Sequence, residues 1–175
     1  MGDRDQLLQL IKQLAVVHGQ VTLSSGQQAD YYVDLRRITL HREGAPLVGR
    51  VLRELSKDWN YDAAGGLTLG ADPVGAAILH ASAGAVDSFV VRKAEKAHGM
   101  QQRIEGPPVA GRRVLVVEDV STTGSSPLSA IDALREAGAE IVGVALIVDR
   151  GGLAAIAAAG YAARAAFTLA DLGLS

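Results

Sequence analysis

The chain contains no cysteine. Disulfides, thiolate nucleophiles and cysteine-ligated metals are therefore excluded, and a reducing compartment, by default the cytoplasm, is the expected location. It also lacks an excess of charge, with a formal net charge of −2, so there is no electrostatic footprint for nucleic acid. Long uncharged apolar runs are absent from the N-terminus. Leu7, Leu8, Ile11, Leu14 and Ala15 share their stretch with Asp3, Arg4, Asp5 and Lys12. That pattern predicts an amphipathic helix, neither a signal peptide nor a membrane span. Gly-Lys followed by Ser or Thr occurs nowhere, which removes the nucleoside triphosphatase loop. No internal repeat is present.

What remains is a chain of 175 residues, 49% hydrophobic and 21% charged, long enough for one well-buried domain and short for two. Helix and strand patterns alternate. A polar hairpin-like segment over 21–39 follows the first helix. A helix over about 43–57 carries Leu47, Val48, Val51, Leu52 and Leu55 inward. A buried strand should end near Leu67, and a helix with proline near its first turn covers 73–82. Strands follow at 89–91, 114–117 and 141–148, and a small-residue helix begins near Gly152 and ends at Gly160. Strands separated by helices imply an α/β fold with a mostly parallel sheet and right-handed crossovers.

The densest chemistry lies in VLVVEDVSTTGSS, residues 114–126. A β-branched run ends on Glu118 and Asp119 and enters a hydroxyl-rich turn before a helix. Such a turn lies at the C-terminal edge of a sheet, where α/β proteins bind ligands. Ser121, Thr122, Thr123, Gly124 and Ser125 supply hydroxyls and helix N-terminal N–H groups that suit one phosphate. The two acids would repel a phosphate at contact distance. They suit neutral ribose hydroxyls, or the neighbourhood of a hydrated magnesium ion. A strand with an acidic end and an ordinary helix cap explains less, because a cap needs one hydroxyl and here several follow in line. The run closely resembles the 5-phosphoribosyl 1-diphosphate (PRPP) motif of type I phosphoribosyltransferases.

A second segment, VRKAEKAHGMQQRIEG at 91–106, leaves a strand and gathers Arg92, Lys93, Lys96, His98 and Arg103. It cannot bury those charges cheaply, so a solvated, mobile loop that an anionic ligand orders is expected. A third segment, LSSGQQADYYVDLR at 23–36, carries Ser25, Gly26, Tyr31 and Tyr32. Read alone, the tyrosine pair more readily fills a strand.

Together these segments resemble the orotate phosphoribosyltransferases, over about residues 21–150. The resemblance implies the type I phosphoribosyltransferase fold. A small N-terminal hood (about 1–40) would sit on a PRPP-binding core (about 41–175) with helices flanking a central sheet. It implies the substrates orotate and PRPP, the cofactor Mg²⁺ held mainly by PRPP and water with no confident protein ligand, and a homodimer sharing the loop 92–106 between subunits. By resemblance, Arg92 and Lys93 meet diphosphate on one side of the dimer. Lys96 and His98 reach across to the leaving group, His98 as a donor to diphosphate or a general acid. Glu118, Asp119, Ser121, Thr122, Thr123, Gly124 and Ser125 hold the phosphoribosyl part, and backbone groups at Gly70 and Ala71 face diphosphate. Ser25, Gly26, Tyr31, Tyr32, Thr122 and Arg150 form the orotate pocket. An arginine suits that pocket because its planar fork holds a carboxylate in two parallel hydrogen bonds.

The chain departs from the family pattern in places. Ser24 and Asp72 stand where many relatives have lysine, and Glu118 replaces the first of two aspartates. His18, His41 and His80 have no chemical context and are expected to be structural or exposed. Two other functions compete: a phosphoribosyltransferase for another base such as a purine, and a PRPP-binding regulator that has lost catalysis. The arginine–lysine loop with Tyr31, Tyr32 and Arg150 favours orotate over a purine. A regulator would usually carry a nucleic-acid surface, and neither a basic face nor an added domain is evident.

Overall fold

The computed structural model describes residues 1–23, 26–93 and 102–174. Helix α1 (Asp3–Leu10) runs into a π-helical turn (Ile11–Ala15) and then directly into β1 (Val16–Thr22), which pairs antiparallel with β2 (Gln28–Val33). This hairpin begins earlier than the segment 21–39 read from sequence, because Val16 and Val17 already pair with Val33 and Tyr32. A short α2 (Arg36–Thr39) links it to α3 (Gly44–Leu55), whose start is held by His41: Nδ1 accepts the N–H groups of Glu43 and Gly44 at 3.2 and 3.4 Å. His18 and His80 are exposed.

The remainder alternates as β3 (Ala63–Leu67), α4 (Asp72–Ala81), β4 (Asp87–Val91), β5 (Ile104–Glu105), β6 (Arg113–Ser121), α5 (Ser125–Glu136), β7 (Glu140–Asp149), α6 (Gly152–Ala158) and β8 (Ala163–Thr168). The sheet order is β5-β4-β3-β6-β7-β8, parallel throughout except for β5 against β4. β6 and β7 are buried on both faces, which explains their unbroken apolar runs. Alternate side chains supply two cores. Leu115, Val117, Ala145 and Ile147 face α1, α3 and α4; Val114, Val116, Val144 and Leu146 face α5 and α6. Two glycines permit close packing of the central strands: a Cβ at Gly65 would meet the Phe89 carbonyl at 2.1 Å, and one at Gly143 would strike the Trp59 ring at 2.7 Å.

Three features differ from the sequence reading. β6 does not stop at Val117 but continues through both acids to Ser121, since β7 offers a partner throughout, with Glu118 opposite Leu146 and Ser121 opposite Asp149. Residues 91–106 are not all loop: Ile104 and Glu105 pair with Val91 and Val90. β8 was not anticipated, because its sequence ARAAFT is poor in β-branched residues and follows a helix rich in alanine.

Candidate active site

β6 carries the site by ending on the C-terminal edge of the sheet, between β3 and β7. Glu118 and Asp119 are only 5% and 9% exposed, and each carboxylate is tied to the adjacent backbone. Glu118 Oε1 accepts the Asp119 N–H at 3.0 Å, and Asp119 Oδ1 accepts the Val120 N–H at 2.7 Å. Burial pushes the Glu118 carboxyl up to about 9, helped by its hydrogen bond with Asp119, by that neighbour's charge and by Asp72. Gly70, in the turn between β3 and α4, lies directly against this pair: a Cβ there would sit 2.7 Å from Glu118 Oε1 and from Asp119 Oδ1. Ala71 is fully buried, and its N–H points to Leu67 O at 3.4 Å. Thr68 Oγ1 donates to Asp72 Oδ2 at 2.7 Å, while Asp72 Oδ1 is buried with no hydrogen-bond partner among the described residues.

The hydroxyl-rich turn separates into supporting and presented residues. Ser121 is buried, its Oγ accepting the Gly124 N–H at 3.1 Å while packing on Gly152, where a Cβ would come within 2.2 Å of it. Gly124 adopts φ 77°, a left-handed conformation that suits glycine, and leads into α5 with no side-chain cap. The positive end of the helix dipole lies at this turn with the Ser126 N–H, while the Ser125 N–H is bound by Thr123 and Pro127 has none. Thr122, Thr123 and Ser125 are exposed; Thr123 Oγ1 donates to Ser125 Oγ at 3.0 Å and accepts the Ser125 N–H at 3.3 Å.

This turn and the hairpin share one cavity of about 810 Å³, lined by Thr122, Thr123, Ser125 and Ser126 on one side and Leu23, Gln27, Tyr32 and Arg150 on the other. Arg150 follows β7 and is anchored by its N–H to Ser121 O at 2.8 Å. Its guanidinium carbon lies 5.8 Å from the Tyr31 ring centre, and its buried Nε has no hydrogen-bond partner among the described residues. Tyr31 and Tyr32 point to opposite faces of β2, so they do different things. Tyr32 lines the cavity and receives a hydrogen bond from Arg36 Nη2 at 3.2 Å, whereas Tyr31 packs on the core beneath Arg150. Gly26 occupies the hairpin bend with φ 82°. Ser25, Lys96 and His98 lie outside the described residues. Arg92, at the end of β4, forms an ion pair with Glu105 at 3.6 Å, and Lys93 is exposed.

Among the described residues no three His, Asp or Glu side chains converge as a metal cage. Gln27 and Ser126 line the cavity without having been assigned a role from sequence; Gln27 lies within the tyrosine segment and Ser126 ends the hydroxyl run, so membership of those motifs is the available signal. Among the described residues no helix is long and apolar enough to cross a membrane.

A mostly parallel sheet whose central strand carries two adjacent acids and then leads through a hydroxyl-rich turn into a helix defines a class. The Phosphoribosyl transferase domain matches residues 38–155, and the fold is that of the type I phosphoribosyltransferases. Orotate phosphoribosyltransferase of Streptomyces avermitilis is 64% identical over 177 aligned positions, covering 98% of this chain and 97% of the relative. The Mycobacterium tuberculosis H37Rv orotate phosphoribosyltransferase, solved with Fe(III) dicitrate, superposes with a TM-score of 0.92 at 58% identity, covering 99% of this chain and 100% of that one. Its complex with PRPP gives a TM-score of 0.88 at 52% identity over the same shares. The chain belongs to the orotate phosphoribosyltransferase family.

Proposed function

We infer that this chain transfers the 5-phosphoribosyl group of PRPP to N1 of orotate, releasing diphosphate and giving orotidine 5′-monophosphate in de novo pyrimidine biosynthesis. The observation that carries this reading is the single cavity joining the anion cradle at α5 to the Tyr32–Arg150 pocket. Relatives at about 60% identity named for this activity support it, as does the PRPP complex of the M. tuberculosis protein.

In this reading the 5-phosphate rests on Thr122, Thr123, Ser125 and the α5 N-terminus. The ribose hydroxyls meet Glu118 and Asp119, and the orotate carboxylate meets the guanidinium of Arg150, which lines the cavity. The C1′–O bond to diphosphate breaks, the C1′–N1 bond forms, and N1 gives up its proton. Charge at the anomeric carbon is oxocarbenium-like on the way. The protein's work is to align two anions, to exclude water from the cation and to neutralise the departing diphosphate. Mg²⁺ bound to PRPP would add positive charge at diphosphate. Arg92 and Lys93 bind diphosphate from the stem of their loop, with Lys96 and His98 assigned by resemblance to the leaving group. Gly70 lets the β3–α4 turn approach the acids closely enough for its backbone to face diphosphate.

A cytoplasmic homodimer completes the proposal. What supports the homodimer is a groove of about 830 Å³ between α2 and α4, where Leu40 and Leu69 are 73% and 60% exposed; exposed apolar side chains of this kind suit a protein contact.

The test is loss of orotate absorbance with purified protein, PRPP and Mg²⁺, with adenine, hypoxanthine and uracil assayed in parallel by diphosphate release. Conversion confined to orotate is expected. Release with another base alone would keep the PRPP site and overturn the orotate pocket.

A further inference from the structure

One side chain joins the stem of the cationic loop to the helix that opens at the phosphate cradle. The β4–β5 ladder is extended past Val91 and Ile104 by the Arg92 N–H, which donates to Arg103 O at 2.6 Å. Arg103 then folds its half-buried guanidinium back over the stem. Its Nε donates to Arg92 O at 3.1 Å, and its Nη2 reaches Ser129 Oγ at 3.3 Å and, at the longest reach, Lys93 O at 3.5 Å. Ser129 stands one helical turn after Ser125 on α5. A single planar group thereby addresses the carbonyls of both residues assigned to diphosphate and a hydroxyl next to the 5-phosphate cradle.

We propose that Arg103 is a positioning residue for PRPP, a clasp that sets the distance between the Arg92–Lys93 pair and the cradle at the start of α5. The inference rests on the reading that Arg92 and Lys93 bind diphosphate. PRPP is an anion at both ends, so its productive binding depends on the spacing of two cationic or N–H-rich anchors belonging to different elements. Arg103 makes hydrogen bonds both to Arg92 O and to α5. Arginine fits the task because its donors diverge in fixed directions from one plane, whereas a lysine ammonium could address only one of these acceptors well.

The test is a mutant cycle read in steady-state kinetics, with thermal unfolding as a check of folding. Arg103→Ala is expected to raise KM for PRPP about tenfold while leaving kcat and KM for orotate within about threefold, the loss of a positioned contact to a charged group. Arg92→Ala/Lys93→Ala is expected to raise KM for PRPP as well, and adding Arg103→Ala to that background should change it by less than about twofold, because the clasp then has nothing to position. Full multiplication of the two losses, or an Arg103→Ala protein with unchanged KM for PRPP, overturns the clasp while leaving the diphosphate assignment standing. An Arg92→Ala/Lys93→Ala protein with wild-type KM overturns the diphosphate assignment and the clasp with it. Should Arg103→Ala fail to fold, Ser129→Ala, which removes only the arm to α5, carries the same cycle.

Discussion

Replacing Gly70 by alanine tests whether the β3–α4 turn and the two acids are as tightly apposed as their geometry requires. The new Cβ would lie 2.7 Å from Glu118 Oε1, 2.7 Å from Asp119 Oδ1 and 3.0 Å from Asp119 Cγ, where ordinary contact begins at 3.4 Å. The cost is one of space, since Gly70 is not among the glycines with positive φ. Neither carboxylate can retreat freely: both residues are buried, and each of the crowded oxygens accepts a backbone N–H. Overpacking of this kind costs about 1–3 kcal/mol, and a shift that breaks either hydrogen bond costs a similar amount. In a chain of this length each kcal/mol lowers Tm by roughly 2–4 °C, so a fall of about 3–10 °C is expected in thermal unfolding without ligand. Because the displaced oxygens are those assigned to ribose, KM for PRPP should rise about tenfold or more, with KM for orotate much less affected. A variant whose Tm stays within 1 °C of wild type and whose KM for PRPP is unchanged would refute both the apposition and the ribose assignment.

Other expectations are shorter to state. Glu118 titrates near 4.5 when unfolded and near 9 when folded. The native state therefore holds an extra proton across that window, and its contribution to stability declines as pH rises through it. Tm should fall between pH 5 and pH 9, and Glu118→Gln should flatten the decline; parallel curves for the two proteins would remove Glu118 as its source. Arg150→Ala should raise KM for orotate by roughly 30-fold or more, the cost of leaving a buried carboxylate without its partner, and should spare KM for PRPP. An equal effect on both substrates would place Arg150 outside the base pocket. Lys96→Ala should lower kcat about a hundredfold with little change in PRPP binding, as expected for a contact strongest in the transition state; equal losses in both would end its assignment to the leaving group. Mixing inactive Lys96→Ala chains with inactive Asp119→Asn chains should restore activity if the loop serves a partner's site, and verified subunit exchange without recovery would count against a shared loop.

The parts of the fold legible in the sequence were those whose apolar runs are long and buried on both faces. β3, β6 and β7 and the helices between them were identified near their observed positions, because burial leaves a continuous apolar signal. The ends were less legible where function had replaced hydrophobicity. Glu118, Asp119 and Ser121 read as a turn yet belong to β6, held there by pairing with β7 that hydropathy does not register. β5 has two residues and no periodicity to detect. The hydroxyl-rich turn assigned to phosphate stands out in the sequence because its residues are contiguous and chemically dense. Arg150 is assigned only through family resemblance, since a lone arginine after an apolar strand has no local mark. The contact of Gly70 with the acids and the reach of Arg103 to Ser129 join segments 48 and 26 residues apart, so no local pattern could announce them.

The arrangement also resolves an apparent conflict in placing acids beside a polyanionic substrate. Glu118, Asp119 and Asp72 approach the position where PRPP would lie, and three carboxylates there would repel both phosphate ends. Burial changes the balance. Glu118 is driven toward its neutral form by desolvation and by Asp119, and as an acid it can donate as well as accept, which suits a ribose hydroxyl better than a second fixed negative charge. Asp119 turns one oxygen onto the Val120 N–H. The groups assigned to the anions stand elsewhere, at the α5 N-terminus and on the β4–β5 stem, so under the proposed assignment ribose and phosphates would meet different chemistry along one ligand. The extension of β6 to Ser121 makes this possible: one continuous strand carries both acids and ends where the cradle begins, fixing their spacing by backbone geometry rather than by a loop.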